Sequence, residues 1–325
     1  MSMAFDETVI GRDFGPFPFE YDWKDAALYA LASGATVREL DLLLETRGPK
    51  VLPTYAVVVA FEALLAALSK LGGTVGTLVH GGQRCVVDRP LPSAAKVFTT
   101  CRVTGLYDKG TSALAVFDAE TVDLAGDRLA HTEWRMFYRG AGGFGGPRGP
   151  DSEPASSPPS CGASAVSQAS LSPSSSSPSS SSSSSSSSQS FQSFPGASVQ
   201  EASVLESVSM TTQDTQALLY RLASGDLNPL HADPAFAAAV GFERPILHGL
   251  CTLAHAARAI IRARCAGDAD RLRMIEGRFS KPVLPGQTIT TDVLRVGDGA
   301  VDYVTRVGDI AVITHGHAEY VVEPA

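Results

Sequence analysis

The chain has 325 residues, of which 44% are hydrophobic and 18% charged, with a net charge of -8. That is enough apolar material for sizeable cores, and the length favours two domains of ordinary size. The acidic balance argues against a broad nucleic-acid-binding surface, which needs clustered Lys and Arg, and no uninterrupted apolar run is long enough to suggest a membrane span.

The opening stretch, MSMAFDETVIGRDF, has no basic region ahead of an apolar core, so no secretory signal is expected. DAALYALASG predicts a first helical piece, and PTYAVVVAFEALLAALSKLG a long apolar helix. RCVVDRPLPSAAKVFTTCRVTGLYD, TSALAVFDAETVD and RLAHTEWRMFYRG supply strands by alternation and β-branched content. Composition shifts after GAGGFGGPRGP. Residues 151–198 are Ser/Pro-rich, including an unbroken serine run from Ser179 to Ser188. Such a segment buries too little to offset its ordering entropy and predicts a disordered linker.

In the last part, Asp233 is placed to cap a short helix that starts at Pro234. ILHGLCTLAHAARAIIRAR places Leu247, Leu250, Leu253, Ala254, Ala257, Ile260 and Ile261 at helical spacing. MIEGRFSKPVLPG, TITTDVLRVGDG, AVDYVTRVGD and IAVITHGHAEYVV then read as an antiparallel meander. The expected organisation is therefore an α+β unit over 1–150, a linker over 151–198 and a second α+β unit over 199–325. Five cysteines, Cys85, Cys101, Cys161, Cys251 and Cys265, are scattered without a C-x-x-C pair and read as buried thiols in a reducing compartment.

The two units share a phrase. Residues 29–34 read YALASG and residues 220–225 read YRLASG, but the second continues through Asp226, Asn228 and His231 where the first has Ala35, Val37 and Leu40. RPLPS at 89–93 and KPVLPG at 281–286 extend the repeat. Pro229 disfavours helix at Asn228, so GDLNPLH predicts a loop, and a carboxylate, an amide and an imidazole on it form a proton-transfer set. Turn formation alone also favours Asp and Asn. Their joint replacement in the other copy points instead to chemistry confined to one half.

G-D-x-N-P-x-H, followed by D-P-x-F-A, F-x-R-P-I-L-H-G-L and R-F-x-K-P-V-x-P-G, resembles the MaoC-like dehydratase family, in particular the (R)-specific enoyl-CoA hydratases called hydratase 2. HGGQ, YDKG and GGFGG in the first half resemble the two-unit eukaryotic form of that family. The resemblance implies an α+β double hot-dog fold, with a sheet around a long helix in each half. It also implies a catalytic pair, Asp226 and His231, with Asn228 as the orienting amide between them. Gly249 would offer its backbone N–H to the thioester carbonyl, and His80, Gly81, Lys109 and Phe279 would line the CoA ester. The family chemistry is reversible syn hydration of a trans-2-enoyl-CoA, without metal or other cofactor, in a homodimer of peroxisomal fatty-acid oxidation. The chain ends VVEPA without an S-K-L address. An acyl-CoA thioesterase and a non-catalytic acyl-CoA-binding protein are the competing readings.

Lys109, Arg278 and Lys281 are candidates for the nucleotide phosphates. His315 and His317 share a strand face but lack a clear third metal ligand. His248 and His255 read as helix packing or hydrogen-bonding residues. GGFGG lacks the strand-to-helix setting of a phosphate loop and reads as a flexible edge or a turn beside CoA.

Overall fold

The computed structural model describes residues 5–74, 77–149 and 203–322. The Ser/Pro-rich segment 151–198, expected as a disordered linker, and Cys161 lie outside them. The first half supplies β1 (Asp13–Tyr21), α1 (Trp23–Ala32), α2 (Ala56–Val59), α3 (Phe61–Leu71), β2 (Leu78–Val87), β3 (Ala95–Asp108), β4 (Ser112–Val122) and β5 (Arg128–Arg139). The second supplies β6 (Val204–Thr211), α4 (Gln216–Ser224), α5 (Pro234–Ala239), α6 (Gly249–Arg264), β7 (Leu272–Phe279), β8 (Thr288–Gly297), β9 (Ala300–Val307) and β10 (Ile310–Tyr320).

All ten strands join one antiparallel sheet in the order β1-β3-β4-β5-β2-β7-β10-β9-β8-β6. Counted outward from the β2–β7 seam the two halves have the same topology, as a duplicated unit should. The seam runs from Gly82 opposite Arg278 to Val86 opposite Met274. Arg84 Nη1 meets Glu276 Oε2 across it at 3.3 Å. The helices α2 and α3 pack on first-half strands and α6 on β6, β7, β8 and β10, and one buried apolar cluster runs through both halves. Cys85, Cys101, Cys251 and Cys265 are buried free thiols within it or against it.

Two differences from the expected elements have physical causes. The long apolar helix predicted over 53–72 is broken: a 3-10 turn (Pro53–Tyr55) and α2 are followed by α3, with a bend of 50° between the segments. The run Val57-Val58-Val59 at the break is stiff at χ1 and a poor helix former. α6, without such a run, continues for 16 residues. The strands β1 and β6 also lie outside the predicted set. β1 carries Pro16 and Pro18, which punctuate a sequence as loop, but it pairs with β3 alone and so occupies a sheet edge, where a missing donor is tolerated.

The repeated helices α1 and α4 pack against each other. Their shared tyrosines meet, with the Tyr29 and Tyr220 ring centroids 5.7 Å apart. The shared glycines end each helix in the left-handed region, at φ +84° for Gly34 and +71° for Gly225, a conformation that favours glycine. The carbonyls left unpaired at the end of α1 are met by the other half. Gln216 Nε2 donates to the Ala32 carbonyl at 2.5 Å, and Arg258 Nη1 to the Ser33 carbonyl at 2.9 Å.

Arg258 also forms a two-pronged ion pair with Glu39, Nε to Oε1 at 2.8 Å and Nη2 to Oε2 at 2.5 Å, while its side chain is 4% exposed. Removing one partner of such a pair strands a buried charge. Glu39→Ala is expected to lower unfolding free energy by about 3 kcal/mol in urea denaturation, and pairing Glu39→Leu with Arg258→Met to recover more than half of that loss.

Candidate active site

The GDLNPLH loop follows directly from the end of α4. The Ser224 hydroxyl donates to the Tyr220 carbonyl at 2.7 Å and accepts the Asp226 backbone N–H at 3.3 Å. Asp226 Oδ1 accepts the Asn228 N–H at 3.1 Å, and Asn228 Oδ1 accepts the Leu230 N–H at 3.0 Å. The loop thus coils through its own side chains into a 3-10 turn (Pro229–His231), rather than staying irregular. Asn228 is exposed, and its amide oxygen builds the turn that carries His231.

His231 is buried and its Nδ1–H donates to the Ile246 carbonyl at 2.8 Å. A carbonyl only accepts, so this bond places the proton of a neutral ring on Nδ1 and leaves Nε2 as a lone-pair acceptor. Burial lowers the pKa of His231 below the ordinary imidazole value, against the opposing pull of the Ile246 carbonyl and the Asp226 carboxylate, and with Arg221 adding to the depression.

The Asp226 carboxylate, His231 and His248 form a cluster in which one ligand atom from each lies within 4.8 Å of the other two. Among the described residues this is the His/Cys/Asp/Glu group with spacing that a metal ion could use. His315 and His317 do not form one. His315 Nδ1 faces the Thr314 hydroxyl, and His317 Nδ1 pairs with Asp302 Oδ1 at 2.7 Å. His248, which the sequence reading assigned to packing or hydrogen bonding, stacks on His231 with ring centroids 3.7 Å apart. The signal for it was its place next to Gly249 in LHG.

Gly249 opens α6, where backbone N–H groups lack intrahelical partners and the helix dipole is positive. A Cβ on Gly249 would stand 3.3 Å from the Phe279 ring, tight enough to force that ring to give. Phe279 in turn meets His80 edge to face at 4.9 Å. His80 Nε2 contacts the Gly82 carbonyl at 3.0 Å, and burial lowers its pKa to about 4. Gly81 sits at a β2 bulge where a Cβ would lie 2.4 Å from the Phe137 ring. The α6 opening, Phe279, His80 and Gly81 are therefore contiguous across the β2–β7 seam.

Lys109 is not part of that chain of contacts. It lies on the β3–β4 turn, where its backbone N–H donates to Ser112 at 2.9 Å. Beside it, GGFGG is neither a flexible edge nor an open anion site. The Gly143 and Gly145 N–H groups both donate to the Asp108 carboxylate at 2.9 Å, as does Gly110 at 2.8 Å, so the protein's own carboxylate fills the nest. These three donors hold the Asp108 carboxyl below its usual range. Arg278 and Lys281 are exposed on either side of Phe279 along the chain.

In the first copy Ala35 is buried and Val37 exposed. A Cβ on Gly34 would lie 2.6 Å from His255 Nε2 and 3.0 Å from Arg258 Nη1, so α6 side chains crowd the space behind that loop.

Comparison with known proteins places both halves of the chain. The family model of the MaoC like domain matches residues 196–316, and that of the MFE-2 hydratase 2 N-terminal domain matches residues 19–140. A peroxisomal enoyl-CoA hydratase 2 of Arabidopsis thaliana is 34% identical over 303 residues, covering 89% of this chain and 86% of the relative. The chain belongs to the MaoC-like hydratase 2 family.

A MaoC-like dehydratase from Phytophthora capsici superposes with a TM-score of 0.76 at 25% identity, over 98% of both chains. A Mycobacterium tuberculosis protein described as a double hotdog fold superposes with a TM-score of 0.52 at 14% identity, over 98% of this chain and 97% of that one, a likeness of fold alone. The ten-stranded arrangement is accordingly the α+β double hot-dog of this family.

Within the buried polar set, His255 has its Nδ1 on the Cys251 carbonyl at 2.8 Å and its Nε2 unpartnered among the described residues. Burial, with the Arg258 charge beside it, lowers its pKa to about 4. An unfolded chain takes up that proton near pH ~6.5. As pH falls from 7 toward 4 the unfolded state therefore gains a proton that the folded state refuses, and stability falls. His255→Leu is expected to flatten the pH dependence of the urea midpoint between about pH 6.5 and 4. An unchanged slope would remove His255 as its source.

Proposed function

We propose that this chain is an (R)-specific 2-enoyl-CoA hydratase, adding water reversibly and syn across the double bond of a trans-2-enoyl-CoA. The observation that carries the proposal is the gathering of the Asp226 carboxylate and the His231 imidazole beside His248 and the opening turn of α6, where the Gly249 N–H has no intrahelical partner. A lone acid–base loop would serve many reactions. One set beside a fixed backbone donor suits a reaction in which a proton moves while charge grows on a carbonyl oxygen.

Asp226 and His231 hold one water between them. As the water oxygen bonds C3, one proton passes to the pair, with His231 Nε2 the ready acceptor, and the C2=C3 electrons shift toward the thioester oxygen. Gly249 N–H stabilises that enolate-like oxygen. A proton returned by the pair then bonds C2. Both new bonds form on the face that the pair occupies, the atoms of one water are conserved, and no metal or redox cofactor enters.

His80, Gly81 and Phe279 would bind the ester end of the CoA thioester, and Arg278, Lys281 and Lys109 would meet its phosphates. Residues 1–150 form the substrate-shaping unit and 199–325 the catalytic one, joined by the 151–198 linker. The broken helix of the first half, α2 and α3, is where a long or branched acyl chain would be received. The Arabidopsis relative's peroxisomal name supports a place in peroxisomal fatty-acid oxidation, and a homodimer fits the family.

Three outcomes check this. The chain mixed with a trans-2-enoyl-CoA should consume the conjugated thioester and yield the 3R alcohol, whereas an S product or CoA release without hydration would favour another enzyme. Asp226→Asn should lower kcat by a factor of about 10²–10⁴ with an unchanged unfolding midpoint. Adding Asp and His to the first copy of the Asp226→Asn variant, as Ala35→Asp with Leu40→His, should restore none of the lost kcat.

A further inference from the structure

His248 stands between Leu247 and the helix-opening Gly249, and its surroundings are not those of a packing residue. The imidazole is 2% exposed, stacks on His231 at 3.7 Å and faces Tyr220 at 4.9 Å between centroids. The Asp226 backbone lies close by, yet neither His248 ring nitrogen meets a partner at hydrogen-bond geometry among the described residues. Buried polar atoms of this kind are normally met by water. One nitrogen of His248 also lies within 4.8 Å of both an Asp226 oxygen and a His231 nitrogen. That is a span over which a single water, at ordinary hydrogen-bond lengths, reaches all three.

We propose that His248 is a third side chain on the reacting water, donating its ring N–H to the water oxygen. The proposal rests on the hydratase reading of Asp226 and His231 and adds a group to it. The hydrogen-bond inventory of the water then closes. Its two hydrogens point to the Asp226 carboxylate and to His231 Nε2, His248 takes one lone pair, and the remaining lone pair faces C3. When the oxygen bonds C3, one proton passes to the Asp226–His231 pair and one returns to C2, and His248 keeps its own proton throughout. Burial and the adjacent His231 push the His248 pKa down to about 2, which keeps the ring neutral with one N–H and one lone pair.

The role separates from stacking by substitution. His248→Phe keeps a flat ring against His231 but has no donor, and His248→Gln keeps an N–H without the ring. The expected order of kcat is wild type above Gln above Phe. The Phe variant should be down about tenfold or more, the change in rate that the loss of one good hydrogen bond gives. KM for the enoyl-CoA should stay within about twofold, since the group acts on water and not on substrate. Should the Phe variant fail to fold, His248→Leu against His248→Gln makes the same comparison. A Phe variant with wild-type kcat, or one that raises KM alone, would overturn the proposal. So would activity lost on chelation and restored by zinc, because a cation would then sit where the water is placed. Failure of the unaltered chain to hydrate any enoyl-CoA would instead sink the hydratase reading beneath it.

Discussion

A helix that ends inside a protein leaves carbonyls that something must satisfy, and the end of α1 is where the two halves of this chain become one structure. Its Ala32 and Ser33 carbonyls accept from Gln216 and Arg258 of the second half, and Cys251 Sγ also reaches the Ala32 carbonyl at 3.5 Å. Because α1 packs against α4 and the two tyrosines meet, fixing the end of α1 also fixes the end of α4, from which the Asp226 loop departs. The site is therefore held from behind by polar contacts that a single unit would lack.

The same frame supports two loops of opposite character. Each begins at a left-handed glycine after a shared Tyr-x-Leu-Ala-Ser, and each runs toward α6. Near the first loop α6 sends in a neutral His255 and Arg258, the latter ion-paired with Glu39, and together they fill the space. Near the second, α6 presents its N-terminal turn, with His248 and Gly249, to Asp226 and His231. The asymmetry lies in which part of one helix each loop meets, the middle for the first and the N-terminal turn for the second. That gives a physical reason why polar chemistry survived in one copy, while Ala35 in the other is simply buried.

Much of this was legible in the sequence because it is local. The Asp-Pro helix start at 233, the apolar spacing of α6 and the strands β7 to β10 follow from capping and periodicity, and the loop set Asp226, Asn228 and His231 from contrast between the copies. Most of what escaped depends on contacts distant in sequence. β1 reads as loop until its edge position excuses Pro16 and Pro18. The 50° break between α2 and α3 hides in a run that hydrophobicity alone calls helical. GGFGG gives no hint that Asp108, some 35 residues earlier, fills its amide nest. His248 looks like one more buried residue until His231 is stacked on it. Asn228 was visible as a candidate site residue, and its Oδ1 also accepts the Leu230 N–H of the turn that carries His231.

The central claim is that one water, held on one face by Asp226 and His231, supplies both atoms added to the double bond. Hydration of a trans-2-enoyl-CoA in deuterium oxide, with the configuration at C2 and C3 read by NMR, tests it most directly. The account requires a 3R alcohol with deuterium and oxygen added syn. An anti product, a 3S alcohol, or no addition at all would contradict it.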